Sequence, residues 1–333
     1  MKAAVVGAGS WGTALALLLH GRGIETMLWS HDQEIPRTVR ESGENPYLPG
    51  VSIPDGLEVT DTLSRAVAGA ELVLSVSPSQ FVGDVMARAA PSLREDALVI
   101  SASKGIEMKT LRRMDEVLSS VLPASVMEHF CVLSGPSFAA EVALGVPTAV
   151  VVASHSRDAR IRAQEAFSTE RFRVYTSPDV VGVELGGAVK NVIALAAGVV
   201  AGLGFGYNTQ AALLTRGLAE ITRLGVALGA EPETFSGLAG MGDLVLTCTG
   251  ELSRNRSVGV RLGQGESLRQ ILADMRAVAE GVRTTAGVHA LAERHGVEMP
   301  IVQQVNELLE GRTTPEEAVQ TLMMRGPKPE QWK

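Results

Sequence analysis

Five stretches of this chain combine small residues with charged, amide or hydroxyl groups in ways that core packing does not require. The first is Gly7-Ala8-Gly9-Ser10-Trp11-Gly12, a GxGxxG set directly after one apolar run and directly before another. In such a motif one glycine permits a tight turn, the next lets backbone approach a pyrophosphate, and the last lets helix and strand pack closely. The helix N-terminus behind it offers free N–H groups and partial positive charge to phosphates. An ordinary glycine-rich turn is the alternative, but this position favours a dinucleotide. The second stretch, Ser103-Lys104-Gly105, follows a predicted strand, where a carboxyl-end loop faces a cofactor. The third is Leu133-Ser134-Gly135-Pro136-Ser137-Phe138-Ala139, and the fourth, Glu184 to Asn191, puts Lys190 on an otherwise apolar, glycine-rich helix. The fifth is Gly240-Met241-Gly242-Asp243, followed by a hydroxyl, guanidinium and amide in succession at Ser253-Arg254-Asn255.

The end of the second predicted strand bears on which dinucleotide is held. An acid there would bind the adenosine ribose 2′-hydroxyl and repel a 2′-phosphate. This chain places Ser30 and His31 at that end, with Asp32 one step later and Arg37 further on. NADP is favoured, and Asp32 keeps NAD open.

Elements must position these groups. Short β-rich runs at 3–6, 26–29, 57–59, 72–76 and 97–101 read as strands, several nearly all apolar, as buried parallel strands are. Further strands are predicted at 131–133, 148–152 and 172–174, with helices at 12–20, 79–90 and 111–121. Alternation of this kind implies an α/β fold, a doubly wound sheet with a crossover helix between neighbouring strands. From about Asp179 strands vanish and helical patterns take over at 210–228, 277–294 and 302–309. The expected division is a dinucleotide-binding domain at 1–182, an all-helical substrate domain at 183–325, and a loose charged tail at 326–333.

Composition narrows the function. A length of 333 residues with 45% hydrophobic and 20% charged residues suits two globular domains. Lys and Arg number 30 against 37 Asp and Glu, a net charge of −7, which leaves no electrostatic footprint for nucleic acid. Cys131 and Cys248 lie far apart, and six scattered histidines form no ligand spacing, so neither a disulfide framework nor a metal is expected. No apolar run of membrane-span length escapes interruption by Gly, charge or polar residues, and the chain passes from Met1-Lys2 straight into the glycine-rich turn. The expectation is a cytoplasmic protein without a membrane span.

Taken together in order, these motifs resemble those of the bacterial NAD(P)-dependent glycerol-3-phosphate dehydrogenases over nearly the whole chain. Gly7 to Ala14 looks like their N-terminal fingerprint, Leu133 to Ala139 like their substrate loop, and Gly187 to Ala194 like the signature around their catalytic lysine. Members preferring NADP often carry arginine after the second strand, where this chain has His31-Asp32. The resemblance implies a Rossmann-type domain followed by a helical one. It also implies reduction of dihydroxyacetone phosphate to sn-glycerol 3-phosphate, the glycerophospholipid backbone. Lys190 would be the general acid/base at the substrate C2 oxygen, since burial or a neighbouring cation lowers a lysine from its usual pKa of about 10.4. Lys104 would polarise the same oxygen, and Asp243 would orient Lys190 or bind a substrate hydroxyl, unless it caps the next helix. Arg254 suits the phosphate because its fork donates two hydrogen bonds, with Ser253 and Asn255 beside it. Gly135 and Ser137 complete the substrate set. The implied cofactor set is Gly7, Gly9, Ser10, Trp11, Gly12, His31, Tyr47, Lys104, Ala139, Arg254, Val278 and Glu280.

The implied partner is one small phosphorylated substrate, with a homodimer left open. Two other readings compete: a β-hydroxyacid or hydroxyacyl-CoA dehydrogenase of the same plan, and a non-catalytic nicotinamide sensor. The first needs a partner for carboxylate or CoA, and the second gives no reason for Lys190 on an apolar helix.

Overall fold

The computed structural model describes residues 1–275, 279–327, 329 and 330. Among them, eight strands form one sheet: β1 (Lys2–Val6), β2 (Glu25–Trp29), β3 (Glu58–Thr60), β4 (Leu72–Ser75), β5 (Leu98–Ser101), β6 (Cys131–Ser134), β7 (Thr148–Ala153) and β8 (Phe172–Ser177). Their order is β3-β2-β1-β4-β5-β6-β7-β8. The central strands β4, β5 and β6 are buried along their whole length, which is why they read as unbroken apolar runs rather than alternating ones. All pairings are parallel except β6–β7, where Val132 faces Ala153 and Leu133 faces Val152.

That exception departs from the expected crossover helix between every pair of neighbours. The helix between β6 and β7, Ala139–Ala143, has five residues and rises only about 7 Å. A six-residue strand such as β7 runs about 20 Å, so a helix this short cannot carry the chain back for a parallel start. The chain doubles back through Gly145, whose φ of +71° closes the turn. Two helices also begin later than the apolar patterns suggest. The segment predicted at 79–90 opens as a tighter turn before the helix Val82–Ala89, and that predicted at 111–121 shrinks to Met114–Ser119. Leu111 has φ +59° there, outside any helix.

β1 pairs with β2 on one side and β4 on the other, so the strand order reverses between β1 and β4. Ligands of such sheets bind outside the carboxyl ends of strands at that reversal. Leu15, Leu19, Leu28, Leu74, Ile100 and Phe167 belong to the core that holds the helix Ser10–Gly21 against the sheet.

The chain divides into two compact units, Met1–Lys104 with Arg112–Glu184, and Gly105–Leu111 with Leu185–Lys333. The excursion Gly105–Leu111 belongs to the helical unit, where Ile106 and Met108 lie against Gly287 of the helix Glu280–Arg294. Within that unit the helices Val180–Gly202 and Arg254–Gly263 approach to backbone contact. A Cβ at Gly198 would stand 2.1 Å from the Arg256 carbonyl oxygen, and one at Gly259 would stand 2.1 Å from that of Leu195. Gly202 and Gly263 repeat the contact one turn on. Helix-interior glycine costs up to about 1 kcal/mol, and here close packing offsets it. Glu220 is also buried, accepting the N–H groups of Ile301 (2.8 Å) and Val302 (3.2 Å) at the start of the helix Pro300–Leu309; burial pushes its pKa up to about 7.

The helix Val180–Gly202 is long and apolar enough to cross a membrane, but 89% of its most apolar window is buried inside the protein, as in a core helix. Gly186, Gly187 and Lys190 interrupt the apolar run in the sequence without lowering its average hydropathy below that of a span.

Candidate active site

The glycine-rich turn joins β1 to the helix Ser10–Gly21. Gly7 has φ +131°, and a Cβ there would lie 2.9 Å from the Val76 carbonyl, at the end of β4. A Cβ at Gly12 would stand 1.8 Å from the Gly7 oxygen, so only hydrogen fits between turn and helix. Gly9 is different, because its Cβ would meet nothing within 4 Å. No side chain caps the helix and no acid stands in its first turn, so its leading N–H groups lack a side-chain acceptor. Trp11 is half-buried with its Nε1 enclosed and unpartnered. Open space over Gly9, an uncapped helix start and an unsatisfied indole N–H fit a pyrophosphate.

At the end of β2, Ser30 is buried and its hydroxyl oxygen accepts the Asp32 N–H at 3.1 Å. Asp32 Oδ1 accepts the Glu34 N–H at 2.9 Å, just before the helix Glu34–Ser42. His31 is exposed, its ring 6.1 Å from that of Trp29, and Arg37 is engaged with Glu34 and Glu41. Tyr47 is 42% exposed.

The same unit brings together three sequence-predicted residues. Lys104 donates to the Gly135 carbonyl at 3.3 Å, and the Ser137 hydroxyl donates to the same oxygen at 3.0 Å. Gly135 has φ +140°, and a Cβ there would lie 2.9 Å from the Val150 Cα. Ala139 is half-buried at the start of its short helix.

In the helical unit, Lys190 is 6% exposed and its ammonium donates to Asp243 Oδ1 and, at 2.9 Å, to Thr247 Oγ1. Asp243 is 1% exposed and opens the helix Asp243–Thr249, while Thr247 donates to the Asp243 carbonyl at 2.6 Å. The glycines before the lysine make this meeting feasible: a Cβ at Gly186 would lie 2.5 Å from the Ala239 oxygen, in the turn leading to Asp243. Cys248 lies beside them, and burial pushes its thiol up to about 12, which keeps it neutral. An enclosed ammonium, oriented by a carboxylate and a hydroxyl, is equipped to pass a proton to an oxygen.

Three predicted substrate residues behave differently from one another. Ser253 is buried as the N-cap of the helix Arg254–Gly263, its oxygen accepting the Arg256 N–H at 3.3 Å. Asn255 is buried too, donating to Asn191 Oδ1 and accepting the Gly281 N–H, both at 3.0 Å. Arg254 is exposed at the first turn of its helix. Glu280 begins the helix Glu280–Arg294, and Val278 lies outside the described residues. Among the described residues, no group of three His, Cys, Asp or Glu side chains is placed to hold a metal.

Residue type and motif spacing did not single out Thr247 or Asn45, and Asn191 entered only as the end of the Glu184 to Asn191 stretch, with no role of its own. Thr247 stands one helical turn after Asp243, a spacing that puts both on one face and could have found it. Asn191 and Asn45 needed knowledge of which elements pack together.

Comparison with known proteins covers both units. The family of NAD-dependent glycerol-3-phosphate dehydrogenases is matched by its N-terminal part at residues 2–160 and by its C-terminal part at residues 179–320. A glycerol-3-phosphate dehydrogenase (NAD(P)+) of Citrifermentans bemidjiense is 55% identical over 99% of this chain and 98% of its own. One from Geobacter sulfurreducens is 53% identical over 98% of each. The crystal structure of glycerol-3-phosphate dehydrogenase from Coxiella burnetii is similar with a TM-score of 0.92 at 40% identity, over 97% of this chain and 99% of that one.

Proposed function

The chain belongs to the NAD-dependent glycerol-3-phosphate dehydrogenase family, and on that premise we propose that it reversibly reduces dihydroxyacetone phosphate to sn-glycerol 3-phosphate with NADPH or NADH. The observation that carries this reading is Lys190, a buried ammonium on an apolar helix held by Asp243 and Thr247. The nicotinamide, when bound, supplies the hydride. Lys190 gives its proton to the C2 oxygen of the ketone, and in the reverse direction takes it back from the alcohol. Asp243 and Thr247 aim the ammonium and keep it in one place. Lys104, held by Gly135 beside Ser137, is the second cation for that oxygen.

Arg254 holds the phosphate through its bidentate fork, and its lack of an ion-pair partner among the described residues leaves the fork available. Ser253 and Asn255 support it from behind: one caps its helix, and the other ties that helix to Asn191 and Gly281. Gly7, Gly9, Ser10, Trp11 and Gly12 hold the pyrophosphate, with Tyr47, Ala139, Val278 and Glu280 completing the cofactor set by family likeness. Asp32 gives one carboxylate oxygen to its own helix, and with His31 at the end of β2 we favour NADPH modestly, NADH also being used. We further propose that the reaction runs in the cytoplasm, where its product would supply glycerophospholipid assembly.

The test is the rate of NADPH and NADH oxidation with dihydroxyacetone phosphate, a 2-keto acid and an acetoacetyl thioester in parallel. Turnover of the phosphorylated ketone alone is expected. Preference for either of the others, or binding without turnover, would overturn the reading.

A further inference from the structure

Asn45 is fully buried, and its side-chain amide is spent on the glycine-rich turn. Its Nδ2 donates to the Ala8 carbonyl at 2.9 Å and to Thr13 Oγ1 at 2.8 Å. Thr13, also fully buried, passes its own hydroxyl hydrogen to the Gly9 carbonyl at 2.9 Å. On the other side, Asn45 Oδ1 accepts the N–H of Tyr47 at 3.0 Å. One side chain therefore grips two successive carbonyls of the turn, one directly and one through Thr13, and the start of the segment carrying Tyr47.

The consequence follows from the flatness of the peptide unit. In a trans peptide the C=O and the next N–H point in opposite directions. Drawing the Ala8 carbonyl toward a buried amide aims the Gly9 N–H outward. The Gly9 carbonyl, held along the helix by the Thr13 backbone N–H at 2.9 Å and again by the Thr13 hydroxyl, aims the Ser10 N–H outward in the same way. These N–H groups belong to the uncapped helix start, and the position a Cβ of Gly9 would take beside them is open. Gly7 and Gly9 have no side chains to restrict the turn, and glycine visits many backbone conformations at little cost. Without the two anchored carbonyls, ordering that turn would be charged against ligand binding.

We infer that Asn45 is a positioning residue for the dinucleotide: with Thr13 it sets the peptide planes that aim N–H groups at the pyrophosphate, and it ties the Tyr47 segment to that turn. This rests on the proposed cofactor role of the turn.

The experiment uses the full chain with Asn45→Asp, which keeps the shape but removes both amide hydrogens, and Thr13→Val, which removes only the relay hydroxyl. NADPH affinity is measured by fluorescence titration, alongside KM and kcat for each substrate and the thermal midpoint. Both variants are expected to raise the NADPH Kd and KM about ten-fold, with the loss falling on these rather than on kcat at saturating cofactor. The double variant should lose less than the product of the two, because the residues share one network. A lowered midpoint with NADPH Kd within two-fold of the parent would make Asn45 a structural residue only and overturn the inference. If Asn45→Asp does not fold, Asn45→Ser, which also loses the amide hydrogens, takes its place, and an unchanged NADPH Kd in it overturns the inference. Failure of the parent chain to bind either dinucleotide would instead overturn the cofactor reading, and the inference with it.

Discussion

The glycine-rich turn and the Lys190 cluster are built in opposite ways. At the turn the working groups are backbone, and the side chains matter by being absent: hydrogen alone fits at Gly7 and Gly12. Around Lys190 the working groups are side chains, drawn from positions 53 and 57 residues apart in the chain. The turn has open space and uncapped N–H groups, while the lysine is enclosed and bonded. The difference teaches that backbone donors for an anion can be carried by a six-residue string, whereas a buried, oriented ammonium must be assembled by packing. Even so, glycine serves both, since Gly186 lets the lysine's helix come close to the turn before Asp243.

The contrast predicts distinct failures. The largest should come from Lys190→Met, which removes the proposed proton donor and keeps an apolar side chain of similar length. It is expected to lower kcat about 10² to 10⁴-fold while NADPH affinity stays near that of the parent. A folded variant keeping more than a third of parental turnover would place the proton transfer elsewhere.

Next comes a pair at the turn. Gly12→Ala forces a Cβ against the Gly7 oxygen, a backbone atom that cannot swing aside, and should weaken NADPH binding by about 100-fold while lowering stability by about 3 kcal/mol. Gly9→Ala meets no protein atom and should leave stability within about 0.5 kcal/mol, yet still weaken NADPH by crowding its side of the turn. Titration and urea unfolding separate the two. Equal affinity losses with equal stability losses would deny that Gly9 faces the ligand.

Arg254→Ala should raise the KM for dihydroxyacetone phosphate by about 10 to 100-fold, the worth of a charge-assisted hydrogen bond. Unphosphorylated dihydroxyacetone, compared by kcat/KM, should be nearly indifferent. Equal losses on both substrates would show that Arg254 does not read the phosphate.

The smallest effect concerns the ribose. His31→Glu should shift the ratio of kcat/KM for NADPH over NADH toward NADH by several-fold, through repulsion of the added phosphate. An unchanged ratio would remove His31 from the cofactor site.

Much of this molecule is legible in its sequence. All eight strands lie at short β-rich runs, and the central ones are apolar throughout because strands buried on both faces need it, while the GxGxxG marks the turn because its constraints are local. Lys190 stands out because charge on an apolar helix is rare. Tertiary structure alone decided the rest. The reversal at β6–β7 depended on how far a five-residue helix can reach, and the grouping of Gly105–Leu111 with the helical unit depended on which surface covers Ile106. That Ser253 also caps its helix and Asn255 also ties it to Asn191 and Gly281 could not be read from residue type. Asn45 carries no local signal. A hydrogen-bonding side chain declares only what it can bond, and which partner it meets, 37 residues away at Ala8, is settled by the packing of distant elements.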